Sequence, residues 1–324
     1  MQRSRNSAHA IYFGIAILLT PYAFAQTYPD RPVRIVVPYL AGGGVDTAAR
    51  LVGLPMAEHL GQPVVIDNRP GAATNIGSDM VAKAKPDGYT LLLANASQVA
   101  NVSLYKNMPY NLQKDLAPVV LIGTAPLILL VHPSVPAKDV KELIALAKSK
   151  PDQLNYASAG IGSPTHIAPE LFKWMAGVRI MHIPYKGGSQ AVIDLIAGRV
   201  TLYFAATSTG LPLVNTGKAR ALGVTGSKRF APAPDVPTVS EAGLPGYEIG
   251  NWFALLAPSG TQQDVIARLN TAANKVLASA DAMKRLGAQG VEVSGGSPQV
   301  LEAFIAKEIV KYEKIVRAAD IKPE

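Results

Sequence analysis

Val33-Arg34-Ile35-Val36-Val37-Pro38-Tyr39-Leu40-Ala41-Gly42-Gly43-Gly44-Val45-Asp46 is the stretch on which the fold turns. β-Branched residues and alternation predict a strand over 33–39, the glycines at 42–44 a loop, and the pattern from Val45 to about Leu60 a helix. A strand that feeds a helix through a short loop is the building unit of a parallel α/β sheet. In such sheets ligands sit beyond the carboxyl ends of the strands, where helix N-termini offer free N–H groups and the positive end of a dipole. The loop therefore marks a candidate anion site.

Working outward, residues 63–67 read as a strand, 75–83 as a helix, Pro86-Asp87-Gly88 as a turn and 90–94 as a third strand. Two apolar runs, 119–122 and 127–131, are broken by Gly123 and Pro126 and predict a strand leaving one lobe and entering another. Val140, Leu143, Ile144 and Ala147 recur at helical spacing, and 154–157 is a strand. Ser158-Ala159-Gly160-Ile161-Gly162 is then a second glycine loop, with Ser163 as N-cap and Pro164 as first residue of a helix. The second half thus repeats the strand, glycine loop, helix arrangement. Strands are expected over 180–183, 200–204 and 219–224, a helix over 191–197, and a Pro- and Gly-rich surface connection over 231–246. Residues 247–258 form a second apolar crossing. Thr261 and Asp264 predict a capping box for a helix through Leu277, and Ser297-Pro298 opens a last helix with Leu301, Phe304, Ile305, Ile309, Tyr312 and Ile315 on one face. Pro55 and Pro169 fall inside expected helices, so kinks or early ends are predicted there.

At 324 residues the chain suits two lobes, each with its own core. Its N-terminus carries Arg3 and Arg5, an apolar run over 11–19 and Ala23-Phe24-Ala25, which together predict a secretory signal over 1–25 and a mature start at Gln26. The apolar run is short for a bilayer span. The chain has no cysteine, which excludes disulfides, thiolate metal sites and a lipid-anchored N-terminus. A periplasmic, unanchored protein is expected. The formal charge of +8 falls by two when the signal is removed. Its basic residues are scattered, so nucleic-acid binding is not indicated.

Enzyme readings lack their constellations. Of the histidines, His9, His59, His132, His166 and His182, no two stand at a metal-binding spacing. Gly160-Ile161-Gly162-Ser163-Pro164-Thr165 lacks the last glycine of a dinucleotide fingerprint, and no G-x-S-x-G elbow or phosphate-binding G-K-[ST] occurs. No catalytic residue, metal or cofactor is expected. A periplasmic α/β hydrolase or isomerase acting on a small carboxylate stands as the alternative to a binding protein. Asp46 is either a helix-capping carboxylate or a partner for a ligand ammonium or hydroxyl. Ser158, Ser163 and Thr165 offer hydroxyl donors, His166 is either a packed residue or a base, and Tyr39, Tyr185 and Trp252 face a cleft or fill a core.

Several segments resemble one family: Val36 through Asp46, Asn68-Arg69-Pro70-Gly71-Ala72, Ala84-Lys85-Pro86-Asp87-Gly88-Tyr89-Thr90, Tyr156-Ala157-Ser158-Ala159-Gly160, Pro184-Tyr185-Lys186-Gly187, and Asp235-Val236-Pro237-Thr238 with Glu241-Ala242-Gly243. These are similar to the Bug family, the substrate-binding receptors related to tripartite tricarboxylate transporters, in the family's order through the whole mature chain. The resemblance implies an α/β type II periplasmic-binding fold of two lobes with mainly parallel sheets, joined by two crossing strands. Lobe 1 would take 26–124 plus 253–324, and lobe 2 would take 125–252. It also implies a small carboxylate held in the interlobe cleft, with Tyr39, Ala41, Gly43, Gly44 and Asp46 on one side and Ser158, Gly160, Gly162 and Thr165 on the other. Lys186 and Gly187 would line the far side. Membrane subunits of a tripartite transporter, or a sensor protein, are the implied partners of a monomer. Where the family usually has an acid after Gly198-Arg199-Val200, this chain has Thr201. That departure turns the expectation from an amino acid toward a plain dicarboxylate or an aromatic carboxylate.

Overall fold

The computed structural model describes residues 28–322, so the signal segment and the start at Gln26 lie outside the described residues. The first strand, β1 (Val33–Val37), leads through the glycine loop into α1 (Gly44–Leu60), followed by β2 (Val64–Asn68), a 3-10 turn at Ala72–Thr74, α2 (Asn75–Ala82) and β3 (Thr90–Asn95). Next come α3 (Ala96–Leu104), β4 (Leu116–Val131), α4 (Val140–Ser149), β5 (Asn155–Ser158), α5 (Pro164–Ala176), β6 (Met181–Pro184) and α6 (Gly188–Ile196). The chain continues with β7 (Leu202–Ala206), α7 (Thr207–Asn215), β8 (Arg220–Val224), β9 (Gly250–Pro258), α8 (Gln263–Leu277), α9 (Ala280–Ala288), β10 (Glu292–Val293) and α10 (Pro298–Ala318).

The strand order is β2-β1-β3-β9-β4-β7-β5-β6, with β8 and β10 also on β4. In the first half β1 lies parallel between β2 and β3, and β9 closes it antiparallel. In the second half β5 lies parallel between β6 and β7. The two apolar runs expected as a strand passing from one lobe to the other are one 16-residue strand, β4. Its residues up to Pro126 pair with β9, and from Leu127 onward they pair with β7 and β8. Pro126 stands opposite Gly250, so the two passages between halves run side by side. The result is the expected two-lobed α/β architecture with helices on the sheet faces.

Apolar side chains of α1, α8 and α9 cover one face of the first half, and α2, α3 and α10 belong to the larger core on the other. Gly53 sets how closely α1 sits: a Cβ there would lie 2.7 Å from Ile35 Cδ1. That close approach seats the middle of α1 on the middle of β1 and on β2.

Of the kinks or early ends expected at Pro55 and Pro169, the early ends do not occur: α1 runs on to Leu60 and α5 to Ala176. Pro55 lies on the exposed side of α1, where a carbonyl without its donor can be hydrated. Pro169 is buried, and α5 runs past it to Ala176 without the bond to the Thr165 carbonyl. The capping box at Thr261 does not form: Gln262 is the N-cap, Thr261 donates to the Pro258 carbonyl at 2.7 Å, and Asp264 accepts from the adjacent Val265 N–H.

Candidate functional site

The ends of β1, β3, β5 and β6 converge on a cavity of about 500 Å³ between the halves. One wall carries Pro38, Tyr39, Leu40, the segment 70–74, Ser97 and Tyr105, and the other Ala159, Gly160, Ile161, Ser163, Tyr185 and Lys186. Of the residues singled out in the sequence, Tyr39, Gly160, Ser163, Tyr185 and Lys186 form the wall. Ala41, Gly43, Gly44, Asp46, Ser158, Gly162, Thr165 and Gly187 stand beside or behind it. Gly44 faces Ala206 and Ser208 at the start of α7, and Gly187 faces Leu40, so the halves touch on both sides of the cavity.

On the first wall the Tyr39 hydroxyl pairs with Ser97 Oγ at 2.5 Å and meets the Asn95 side chain at 3.2 and 3.3 Å. Burial pushes the Tyr39 hydroxyl above its ordinary pKa, and the bonds to Ser97 and Asn95 oppose it, so it stays protonated. Asp46 is turned away from the wall and spends both oxygens internally. Oδ2 accepts from the Gly42 N–H at 3.0 Å and Arg50 Nε at 2.9 Å; Oδ1 accepts from Arg50 Nη2 at 3.1 Å and Asn68 Nδ2 at 3.0 Å. Burial alone would raise its pKa, but these bonds outweigh it and hold the carboxyl below the ordinary value. Asp46 is thus the residue that shapes the glycine loop.

Behind the second wall Ser158 is fully buried, its Oγ 2.7 Å from His182 Nε2 and accepting from the Gly160 N–H at 3.1 Å. Thr165 Oγ1 accepts from the Ala159 N–H at 2.8 Å, His166 Nδ1 from the Gly162 N–H at 3.2 Å, and Ser163 Oγ donates to the Gly160 carbonyl at 2.6 Å. Much of the donor capacity that the glycine loops offer in sequence is therefore spent on holding the loops in shape. His166 stacks on His182 and is pushed down to about 3 by burial, then by His182 and Lys173, so it is neutral at ordinary pH. Thr201, in place of the family's acid, pairs with Asn155 away from the cavity. Trp252 belongs to the core, edge-on to Phe304.

Sequence reading missed Ser97, Tyr105 and the turn at 70–74 as wall residues. Pro70-Gly71-Ala72 was in view as a motif without a role. After Gly71, itself at φ 132°, Ala72, Ala73 and Thr74 all adopt positive φ (44°, 51° and 78°), a strained run of three residues other than glycine. A larger cavity of about 640 Å³ lies at the two passages, lined by Pro126, Phe230, Trp252 and Glu308 among others. It lacks the paired loops and helix N-termini, and the 500 Å³ cavity is the better candidate for those reasons. Among the described residues no His/Asp/Glu cluster could hold a metal, and no helix is long and apolar enough to cross a membrane.

The pattern of the Tripartite tricarboxylate transporter family receptor matches residues 48–321. BugT of Bordetella pertussis is 37% identical over 314 residues, 96% of either chain. Rpa4515 of R. palustris, solved with adipate, superposes with a TM-score of 0.88 at 40% identity, covering 92% of this chain and all of that one. MatC of Rhodopseudomonas palustris, solved with bound malate, gives 0.84 at 36%, covering 89% and 100%. The match to receptors removes the enzyme alternative. The chain belongs to the tripartite tricarboxylate transporter receptor family, the Bug-type solute-binding proteins.

Proposed function

We propose that this receptor captures a small dicarboxylate or aromatic carboxylate in the 500 Å³ cleft, in the periplasm, after loss of residues 1–25. It would act as a monomer that hands its ligand to the membrane subunits of a tripartite transporter or presents it to a sensor protein. Lobe 1 would comprise 26–124 plus 253–324 and lobe 2 would comprise 125–252, closing about the passages at Pro126 and Gly250. The observation that carries the reading is the make-up of the cleft. Prolines, alanines, Leu40 and Ile161 give an apolar middle, and Tyr39, Ser97, Ser163, Tyr185 and Lys186 supply a few polar groups around it. Lys186 brings a cation to this wall, and the N-termini of α3, α5 and α6 are close by, which suits a carboxylate head on an apolar body. Adipate and malate, the ligands of the two R. palustris neighbours, are the first to try.

Native mass spectrometry of protein purified from the periplasm, followed by release on unfolding, identifies a carried ligand. Calorimetric titration with adipate, malate and an aromatic carboxylate then ranks affinities. Saturable one-to-one binding is expected; heat indistinguishable from dilution for every carboxylate tried would remove the reading.

A further inference from the structure

Asn101, on α3 behind the first wall, is fully buried and touches both sides of the cleft. Its Nδ2 donates to the Ala73 carbonyl at 2.6 Å, to Asn75 Oδ1 at 3.0 Å and to Thr74 Oγ1 at 3.4 Å. A main-chain carbonyl can only accept, so the Ala73 bond fixes which end of the amide is nitrogen. The three bonds also tie Asn101 to the strained turn that lines the cleft. The other end, Oδ1, is buried without a hydrogen-bond partner among the described residues. It faces Gly162 of the opposing loop: a Cβ at Gly162 would lie 2.6 Å from Oδ1 and 3.3 Å from Leu104 Cδ1. Real Cβ atoms do not come that close. Neither partner can step aside, because Asn101 is held by its three acceptors and Gly162 by its N–H bond to His166.

We propose that Asn101 is a positioning residue that sets how far the two walls close, with Gly162 as the surface it closes against. The inference rests on the cleft being the binding site. Asn101 holds the 72–74 turn in the one conformation that forms the wall, and its outer oxygen meets the opposing loop where only a glycine leaves room. The contact joins wall shape to closure, so the gap left for ligand is defined by one side chain and one missing side chain. Sequence patterns show Gly162 as one more loop glycine, whereas the structure gives it a partner some sixty residues earlier in the chain.

Gly162 has φ +73°, so Gly162→Ala carries backbone strain as well as the clash. A double-mutant cycle separates the two. Wild type, Asn101→Ala, Gly162→Ala and the double variant are titrated with straight-chain dicarboxylates that include adipate and malate, and dissociation rates are followed by stopped flow. With Asn101 in place, Gly162→Ala is expected to weaken binding about tenfold or more, chiefly through faster dissociation. In protein that already carries Asn101→Ala, the same change is expected to cost within about threefold, because the oxygen it strikes is gone. Equal losses in both backgrounds would overturn the inference and leave strain as the whole effect. Should Gly162→Ala fail to fold, folding and binding by the double variant supports the contact, and failure of that double variant as well overturns it. Wild type that binds none of the panel defeats the reading of the cleft itself, an outcome distinct from an additive cycle in a protein that binds.

Discussion

Arg50 reaches back one turn of α1 and takes both oxygens of Asp46, Nε on Oδ2 at 2.9 Å and Nη2 on Oδ1 at 3.1 Å. The carboxylate is nearly buried and the guanidinium is about half exposed, so the pair is worth more than a surface bridge and less than a fully enclosed one. Asp46→Asn keeps the shape but cannot accept from Arg50, Gly42 and Asn68 together. A loss of about 2 kcal/mol in urea unfolding is expected. The Asp46 pKa is lower folded than unfolded, so its stabilisation is full above the unfolded value and fades as pH falls through the folded one. Wild type and Asp46→Asn should therefore converge in stability below about pH 4; a constant gap down to strong acid would contradict the assignment.

Tyr39 is the cleft residue whose role in binding and role in structure are easiest to separate. Tyr39→Phe keeps the ring and removes the hydroxyl that joins Ser97 and Asn95. Stability should fall by about 1 kcal/mol. Carboxylate affinity should fall about tenfold, since Ser97 on the wall loses the partner that orients it. Titration and melting on the same preparation decide it, and an unchanged affinity would place the ligand away from Ser97.

What was legible in the sequence was whatever the chain declares locally. Alternation over 33–39 and the glycines after it gave β1 with two residues too many at its end, the loop, and α1 to within a residue. The Ser163-Pro164 pair gave the start of α5. Elements that follow a strand without a glycine were missed: α3 begins at Ala96 directly after β3, and α7 at Thr207 directly after β7. Gly123 and Pro126 look like breaks, yet β4 runs through them because β9 pairs alongside with its register shifted twice. At the site, the glycine loops were visible, but the use of their donors was not. Whether the Gly160 N–H is free depends on Ser158, whose position depends in turn on His182 from another strand. The 72–74 turn is bound by Asn101 on α3, a tertiary contact with no local signature.

Ser158→Ala is such a case. Read from sequence as an open cleft hydroxyl, Ser158 should be lost at little structural cost. Its full burial and its bonds to His182 and Gly160 reverse that expectation. Removal should lower stability by about 1 to 2 kcal/mol. It should weaken binding through a looser 158–162 loop rather than through a lost contact to ligand. Hydrogen exchange would report it, with protection at Gly160 falling in the unliganded protein; unchanged exchange there would restore the direct-contact reading.

His166 predicts an acid-side slope. Its folded pKa, about 3, lies below the unfolded value of roughly 6.5, so between the two the unfolded chain binds the extra proton. Stability from this residue is complete above about pH 6.5 and declines as pH falls toward 3, by at most about 1.4 kcal/mol per pH unit. Urea unfolding of wild type and His166→Gln at several pH values isolates the contribution. The variant, which also loses part of its packing on His182, should start less stable at about pH 7 and lose less on going to about pH 4.5. Parallel pH profiles would mean that His166 protonates freely in the folded protein.

Gly43 tests where the carboxylate stands. It caps α1 at φ −82°, an ordinary value for any L residue, and a Cβ there would meet only the Leu40 carbonyl, at 3.9 Å. Neighbouring Gly42, at φ +85°, would be strained by any side chain and is the wrong choice for the purpose. Gly43→Val should therefore fold, at a cost of about 1 kcal/mol for a poor N-cap, while Gly43→Ser should be close to neutral. If the ligand carboxylate approaches the main chain at the start of α1, the valine side chain blocks it and affinity falls by about two orders of magnitude, roughly 2.7 kcal/mol. Gly43→Ser would reduce it far less. Gly43 stands beside the 500 Å³ cavity rather than on its wall, so the alternative outcome is equally specific. Affinity unchanged by Gly43→Val, together with a loss on Lys186→Ala, would put the carboxylate at the Ser163, Tyr185 and Lys186 side of the cleft. The glycine loop at 42–44 would then act only in seating α1.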